Sequence, residues 1–201
     1  TLGELVTASN ELGIKNLTVY AFSTENINRP SGEVQFLMKE FLNFYEKSYV
    51  KLLEKKINVR VIGEYDNLND SIIEAINKIN YHPYFHDSMT FTICFNYGSR
   101  QEIIHSIKEI AQAVKNNELN INDIDETVVT NHLYTKDLEP LDLVIRTSGE
   151  YRLSNFLLWQ ISYAELYFTN VLFPDFNKEE LYKAILDYQK RDRRFGKIGD
   201  K

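Results

Sequence analysis

The chain has 201 residues, 43% of them hydrophobic and 26% charged, and its 29 acidic against 23 basic side chains give a formal charge of -6. A core can form at this length without disulfides or a structural metal, and the single Cys94 could make no internal bridge. The acidic balance excludes the broad attraction that drives nucleic-acid binding, so an anionic ligand needs a local basic cluster. No apolar run approaches the roughly 20 residues of a membrane span and no signal peptide opens the chain, so a cytoplasmic protein is expected.

In chain order, Leu2, Leu5, Val6 and Leu12 fall on a helical period over residues 1–12, which Gly13 ends. Residues 17–22 are β-branched and aromatic, a strand that runs into a polar loop at 23–30. Val34, Leu37, Met38, Phe41, Leu42, Tyr45, Tyr49 and Leu52 predict one long amphipathic helix over 31–56. A strand at 59–62 follows, then a helix over 71–81 opened by Ser71 and Glu74 at capping-box spacing. Residues 89–95 make the clearest strand, closed by Asn96-Tyr97-Gly98-Ser99. Ile103, Ile104, Ile107, Ile110 and Val114 then mark the apolar side of a helix over 100–114. A short helix at 125–132, a buried strand at 143–145, a helix at 155–164, a strand at 166–169, a turn at Pro174-Asp175 and a last helix over 178–193 complete the pattern.

Alternation of this kind predicts an α/β fold with a mostly parallel central sheet surrounded by helices, read as a single domain over 1–201. Ligands of such sheets sit beyond the carboxyl ends of the strands, which directs attention to the loops at 23–30, 96–100 and 146–155. The first carries Ser23, Thr24, Glu25, Asn26, Asn28 and Arg29. The arginine's planar fork suits phosphate oxygens. The loop at 146–155 leaves a buried strand into Arg146, Thr147, Ser148, Gly149, Glu150, Arg152 and Ser154, with the helix start expected near Asn155. Two arginines, hydroxyls and a helix N-terminus form a diphosphate clamp; in the competing reading, Arg146 and Arg152 pair with Asp142 and Glu150. Glu165, in an apolar and aromatic stretch, is either paired with an arginine, the commoner case, or coordinates a cation. His82 and His86 have the helical spacing of a zinc pair, but Pro83 lies between them and no third ligand is near in sequence.

Several of these stretches together resemble the cis-prenyltransferases, specifically the bacterial undecaprenyl diphosphate synthases. They are Tyr20-Ala21-Phe22-Ser23-Thr24-Glu25-Asn26-Ile27-Asn28-Arg29-Pro30, Asn96-Tyr97-Gly98, the run from Leu143 to Gln160, Tyr163-Ala164-Glu165-Leu166-Tyr167-Phe168, Pro174-Asp175-Phe176 and Arg191-Asp192-Arg193-Arg194-Phe195-Gly196. The resemblance covers essentially the whole chain, in order. It implies a parallel six-stranded sheet, a homodimer, and repeated cis addition of isopentenyl diphosphate to an allylic prenyl diphosphate such as farnesyl diphosphate. The product implied is a long-chain, undecaprenyl-type diphosphate for the cell-wall lipid carrier, with peripheral membrane contact through that lipid.

Carried over residue by residue, Ser23, Thr24, Glu25, Ile27 and Arg29 match substrate-binding positions, and Asn26 matches the catalytic position assigned to proton removal. A neutral amide is a poor base, so Asn26 is read as an orienting or relay group. Arg146, Arg152, Leu153 and Ser154 match positions that hold isopentenyl diphosphate, Glu165 matches a carboxylate of a Mg²⁺ site, and Arg194 matches the element that reaches the partner subunit's diphosphate. Two positions depart from the family's pattern: Ile27 stands where many members have an aromatic residue, and Tyr151 where some have a histidine ligand. The family's His-x-x-Met-Asp-Gly-Asn-x-Arg-Trp motif, whose Asp binds Mg²⁺ at the end of the first strand, is not in the chain. Its first strand is therefore expected to be missing, the domain N-terminally incomplete, and the 201-residue chain by itself inactive. The alternative reading of that loss is a non-catalytic partner subunit of a cis-prenyltransferase.

Overall fold

The computed structural model describes residues 2–193. In chain order its elements are α1 (Leu2–Glu11), β1 (Asn16–Ser23), α2 (Ser31–Phe44), α3 (Val50–Glu54), β2 (Asn58–Ile62), α4 (Asp70–Asn80), β3 (Thr90–Tyr97), α5 (Ser99–Lys115), α6 (Glu126–Asn131), β4 (Leu143–Arg146), β5 (Glu165–Phe168) and α7 (Lys178–Gln189). All strand pairs are parallel, as helix-length connections require. The predicted α/β class with parallel strands and covering helices is what forms. The strands make a three-stranded sheet and a two-stranded one among the described residues, where one six-stranded sheet was implied. Contacts divide the chain into two compact units, residues 10–139 and residues 2–9 with 140–193.

In the larger unit the strand order is β1-β3-β2, and all eight residues of β3 are buried. A central parallel strand loses solvent on both faces, which is why Thr90, Thr92 and Cys94 are as enclosed as Phe91, Ile93 and Phe95. The core on one side is aromatic: Phe41 lies 4.4 Å from Phe95 by ring centroids, Phe22 5.3 Å from Phe95, and Phe44 6.3 Å from Phe91. Each such ring contributes about 1.5–3 kcal/mol by leaving water, and this seats α2 on the sheet.

The helix predicted over 31–56 is interrupted by a π-helical turn at Tyr45–Tyr49 between α2 and α3. Such a turn accommodates one extra residue and re-aims the side chains after it. Here it stacks Tyr45 on Tyr49 at 5.7 Å and buries Tyr49. The helix α4 starts after Asn69, not on a Ser71 capping box.

A larger departure concerns α5. Its buried positions are Ser99, Glu102, Ser106 and Ile110, whereas Ile104 and Ile107 are 51% and 57% exposed. Polar partners turn the helix this way: Ser106 Oγ donates to the Val129 carbonyl at 3.3 Å, and Glu102 takes the hydrogen bonds described below. Buried polar groups that find partners outweigh the loss of two isoleucines to solvent.

In the smaller unit β4 pairs with β5, and Leu5 and Ala8 of α1 pack with Phe176 and Leu181. The helix predicted at 155–164 does not form. Ser154, Asn155 and Leu157 adopt positive φ of 51°, 62° and 47°, and only a 3₁₀ turn follows at Gln160–Tyr163. Residues in left-handed conformation cannot propagate a right-handed helix, so the helix N-terminus expected to face the 146–155 loop is absent.

Candidate active site

The predicted loops at 23–30 and 146–155 each emerge at the carboxyl end of a strand, the first in the larger unit and the second in the smaller. In the larger unit Ser23 ends β1 and a 3₁₀ turn, Thr24–Asn28, follows. Asn26 folds back so that its Oδ1 accepts the Ser23 backbone N–H at 2.9 Å. That occupies the amide oxygen and leaves the Nδ2 hydrogens to donate, which suits an orienting group and not a proton acceptor. Thr24 Oγ1 is buried with no hydrogen-bond partner among the described residues. Arg29 is exposed and pairs with Glu33 one turn on, while Ile27 is 45% exposed. Glu25 is exposed; its charge, after burial, helps push the Tyr20 phenol well above the ordinary tyrosine range.

The second loop is built on β4. Arg146 is that strand's last residue, half-buried, and its Nε is enclosed without a hydrogen-bond partner among the described residues. The loop is pinned to the segment after β5: Ser148 N donates to the Val171 carbonyl at 2.8 Å and Gly149 N to the Thr169 carbonyl at 2.9 Å. Gly149 has φ +66°, and a Cβ there would lie 3.0 Å from Asn170 Oδ1. Arg152 is exposed and paired with Glu150, as the competing reading expected, but Asp142 pairs with Arg193 at 2.5 Å and not with Arg146. Leu153 is half-buried, and Ser154 is exposed in the left-handed conformation.

Glu165 opens β5, where a helix end was expected, and its Oε2 accepts from Arg191 Nη1 at 2.8 Å. The same guanidinium donates to Asp187 at 2.6 Å and to the Leu166 carbonyl at 2.9 Å. These partners push the Arg191 pKa further up and hold it cationic. The first alternative for Glu165, pairing with an arginine, is therefore the arrangement found. Without substrate the carboxylate meets this arginine, and no three His, Cys, Asp or Glu side chains cluster among the described residues; a Mg²⁺ ion at Glu165 would take further oxygens from a substrate diphosphate. His82 likewise turns to protein, its Nδ1 meeting the Pro83 carbonyl at 2.8 Å. Arg194 lies outside the described residues.

The sequence profile of a family described as "Putative undecaprenyl diphosphate synthase" matches residues 1–196. The chain belongs to this prenyltransferase family. It is 47% identical over 201 residues to the isoprenyl transferase of Streptococcus agalactiae serotype V, covering 98% of this chain and 80% of that protein. Identity is again 47% over 193 residues with the isoprenyl transferase of Bacillus subtilis, covering 94% of this chain and 73% of that one. Among solved structures, lavandulyl diphosphate synthase from Lavandula x intermedia in complex with dimethylallyl diphosphate superposes with a TM-score of 0.90 at 35% identity, covering 98% of this chain and 85% of that one. A probable undecaprenyl diphosphate synthase from Campylobacter jejuni superposes at 0.84 and 34% identity, covering 98% and 90%. The protein is thus an enzyme of prenyl transfer, as the motifs implied.

Two polar details were not legible in the sequence. Glu165 was expected to meet an arginine, but that the arginine is Arg191, 26 residues on, no local spacing signals. The buried Glu102 did carry a signal, since it shares a helical face with Ser99, Ser106 and Ile110, but the run of isoleucines beside it dominated the periodicity.

Proposed function

We propose that this prenyltransferase condenses isopentenyl diphosphate repeatedly, in cis, onto an allylic diphosphate such as farnesyl diphosphate, giving a long-chain undecaprenyl-type product for cell-wall lipid carrier synthesis. The observation that carries the reading is Arg146, whose enclosed Nε has no partner within the described protein at the carboxyl end of a parallel strand. A guanidinium left with an unused donor at a strand end, beside a loop pinned to the segment after β5, suits a diphosphate oxygen. Arg152, Leu153 and the Ser154 hydroxyl extend that grip on isopentenyl diphosphate.

The chemistry asks for charge stabilisation more than for a base. The allylic C–O bond breaks with its electron pair leaving on the diphosphate, the isopentenyl alkene attacks the allylic carbon, and a proton is then lost from the adduct. In the 23–29 loop, Ser23, Thr24, Glu25, Ile27 and Arg29 bind substrate, and Asn26 orients it through its Nδ2 hydrogens. The setting proposed is cytoplasmic and homodimeric, with the product's hydrocarbon chain bringing the enzyme to a membrane surface. No helix among the described residues is long and apolar enough to cross a membrane.

The test is incorporation of radiolabelled isopentenyl diphosphate by the full-length enzyme. Arg152→Ala should raise the KM for isopentenyl diphosphate by roughly 10- to 100-fold, the worth of about 1.5–3 kcal/mol for a charged hydrogen bond. Its thermal midpoint should stay unchanged, because an exposed arginine paired to an adjacent carboxylate adds little stability. An unchanged KM removes Arg152 from the clamp.

A further inference from the structure

In the larger unit a carboxylate outside the 23–30 and 146–155 loops is fully buried. Glu102 has no exposed surface and sits in the first turn of α5. Its Oε2 accepts from the Tyr97 hydroxyl at 2.5 Å, and its Oε1 accepts from the Tyr134 backbone N–H at 2.9 Å. One side chain therefore ties together the end of β3, the start of α5 and the segment after α6. Stability alone does not call for this, since an apolar residue of similar volume with an apolar partner usually serves a core at least as well.

The tie continues towards the 23–29 loop. Tyr97 is itself fully buried, and its carbonyl accepts the Tyr20 hydroxyl at 2.9 Å. The two rings meet edge to face at 5.9 Å and 80°. Tyr20 precedes Ser23 by three residues, and Ser23 stands opposite Tyr97 in the ladder. Between them the β1–β3 register shifts twice, at Tyr20/Phe22 and at Phe22/Ser23, and Asn96 is in the left-handed conformation at φ 48°. Ladder hydrogen bonds are interrupted at a shifted register, so regular pairing does not set the angle at which the chain leaves β1. The Tyr20–Tyr97 bond spans that irregular stretch. Burial and the Glu102 carboxylate push the Tyr97 phenol far above the ordinary tyrosine range, which keeps it a donor to Glu102 at any working pH.

We infer that Glu102 is a positioning residue for the 23–29 loop, acting through Tyr97 and Tyr20. This rests on the proposed substrate-binding role of that loop. Glu102 touches no substrate; it fixes the frame from which Ser23, Asn26 and Arg29 depart.

The experiment is a double-mutant cycle in the full-length enzyme, assayed with radiolabelled isopentenyl diphosphate and farnesyl diphosphate, with folding checked by circular dichroism. Tyr97→Phe deletes only the hydroxyl that Glu102 holds, and Glu102→Gln, which keeps the shape and one acceptor, serves if Tyr97→Phe does not fold. Either is combined with Arg29→Lys. In the otherwise wild-type enzyme the variant should lower kcat/KM about tenfold, mostly through KM, and on top of Arg29→Lys the further loss should be roughly twofold or less. Equal losses in both backgrounds, or none in either, overturn the positioning role while leaving the loop's substrate role standing. If Arg29→Lys alone leaves kcat/KM unchanged, the substrate role of the loop falls, and the positioning role with it.

Discussion

Gly63→Ala is expected to lower the thermal midpoint by on the order of 10 °C, corresponding to about 3 kcal/mol or more, and to yield little folded protein. Gly63 follows β2 with φ +148°, a conformation open essentially to glycine alone. A Cβ built there would lie 1.9 Å from the Phe95 carbonyl oxygen and 3.0 Å from that of Asn96. Both obstacles are main chain of the central strand, so no side chain can swing aside to make room. The approach is further fixed by Glu64 N donating to the Asn96 carbonyl at 3.0 Å and Asn96 Nδ2 donating to the Glu64 carbonyl at 2.7 Å. Thermal unfolding followed by circular dichroism measures the effect. A variant as stable as the parent would mean that β2 and β3 do not approach this closely.

Arg146→Met is expected to have the opposite profile, with kcat/KM falling roughly 100-fold while stability stays level or rises by about 1 kcal/mol. An enclosed Nε without a partner costs stability, and an unbranched thioether of similar length restores an apolar fit. The unused donor is what a diphosphate oxygen would satisfy, so the group that weakens the fold is the one proposed to bind substrate. Activity and thermal midpoint measured on one preparation decide the matter. Loss of both together would make Arg146 structural, and retention of activity would remove it from the clamp. Arg146→Lys should recover only part of the loss, because a lysine keeps the charge without the planar fork.

Much of this architecture is legible in local pattern. The strand at 17–22 and the helix at 178–193 appear as β1 and α7, within a few residues at their ends. The polar density of the 23–30 and 146–155 loops pointed to the two strand ends where the candidate groups lie. Errors cluster where a distant partner overrides the local signal. Residues 155–164 have helical periodicity, yet the backbone bonds of Ser148 and Gly149 to the segment after β5 brace a loop of left-handed residues just before them.

What the sequence by itself determined was the order and type of most elements and the family, and it singled out candidate residues for a diphosphate, because periodicity, turn chemistry and motif spacing are local properties. Tertiary structure alone decided that α5 buries Glu102 and not Ile104 or Ile107, that Glu165 meets Arg191, and that Arg146 keeps an unused donor. Each of these depends on which groups from remote parts of the chain arrive to satisfy a polar atom. A buried hydrogen bond left unmade costs as much as one or two exposed isoleucines, so the partner that arrives settles which face turns inward.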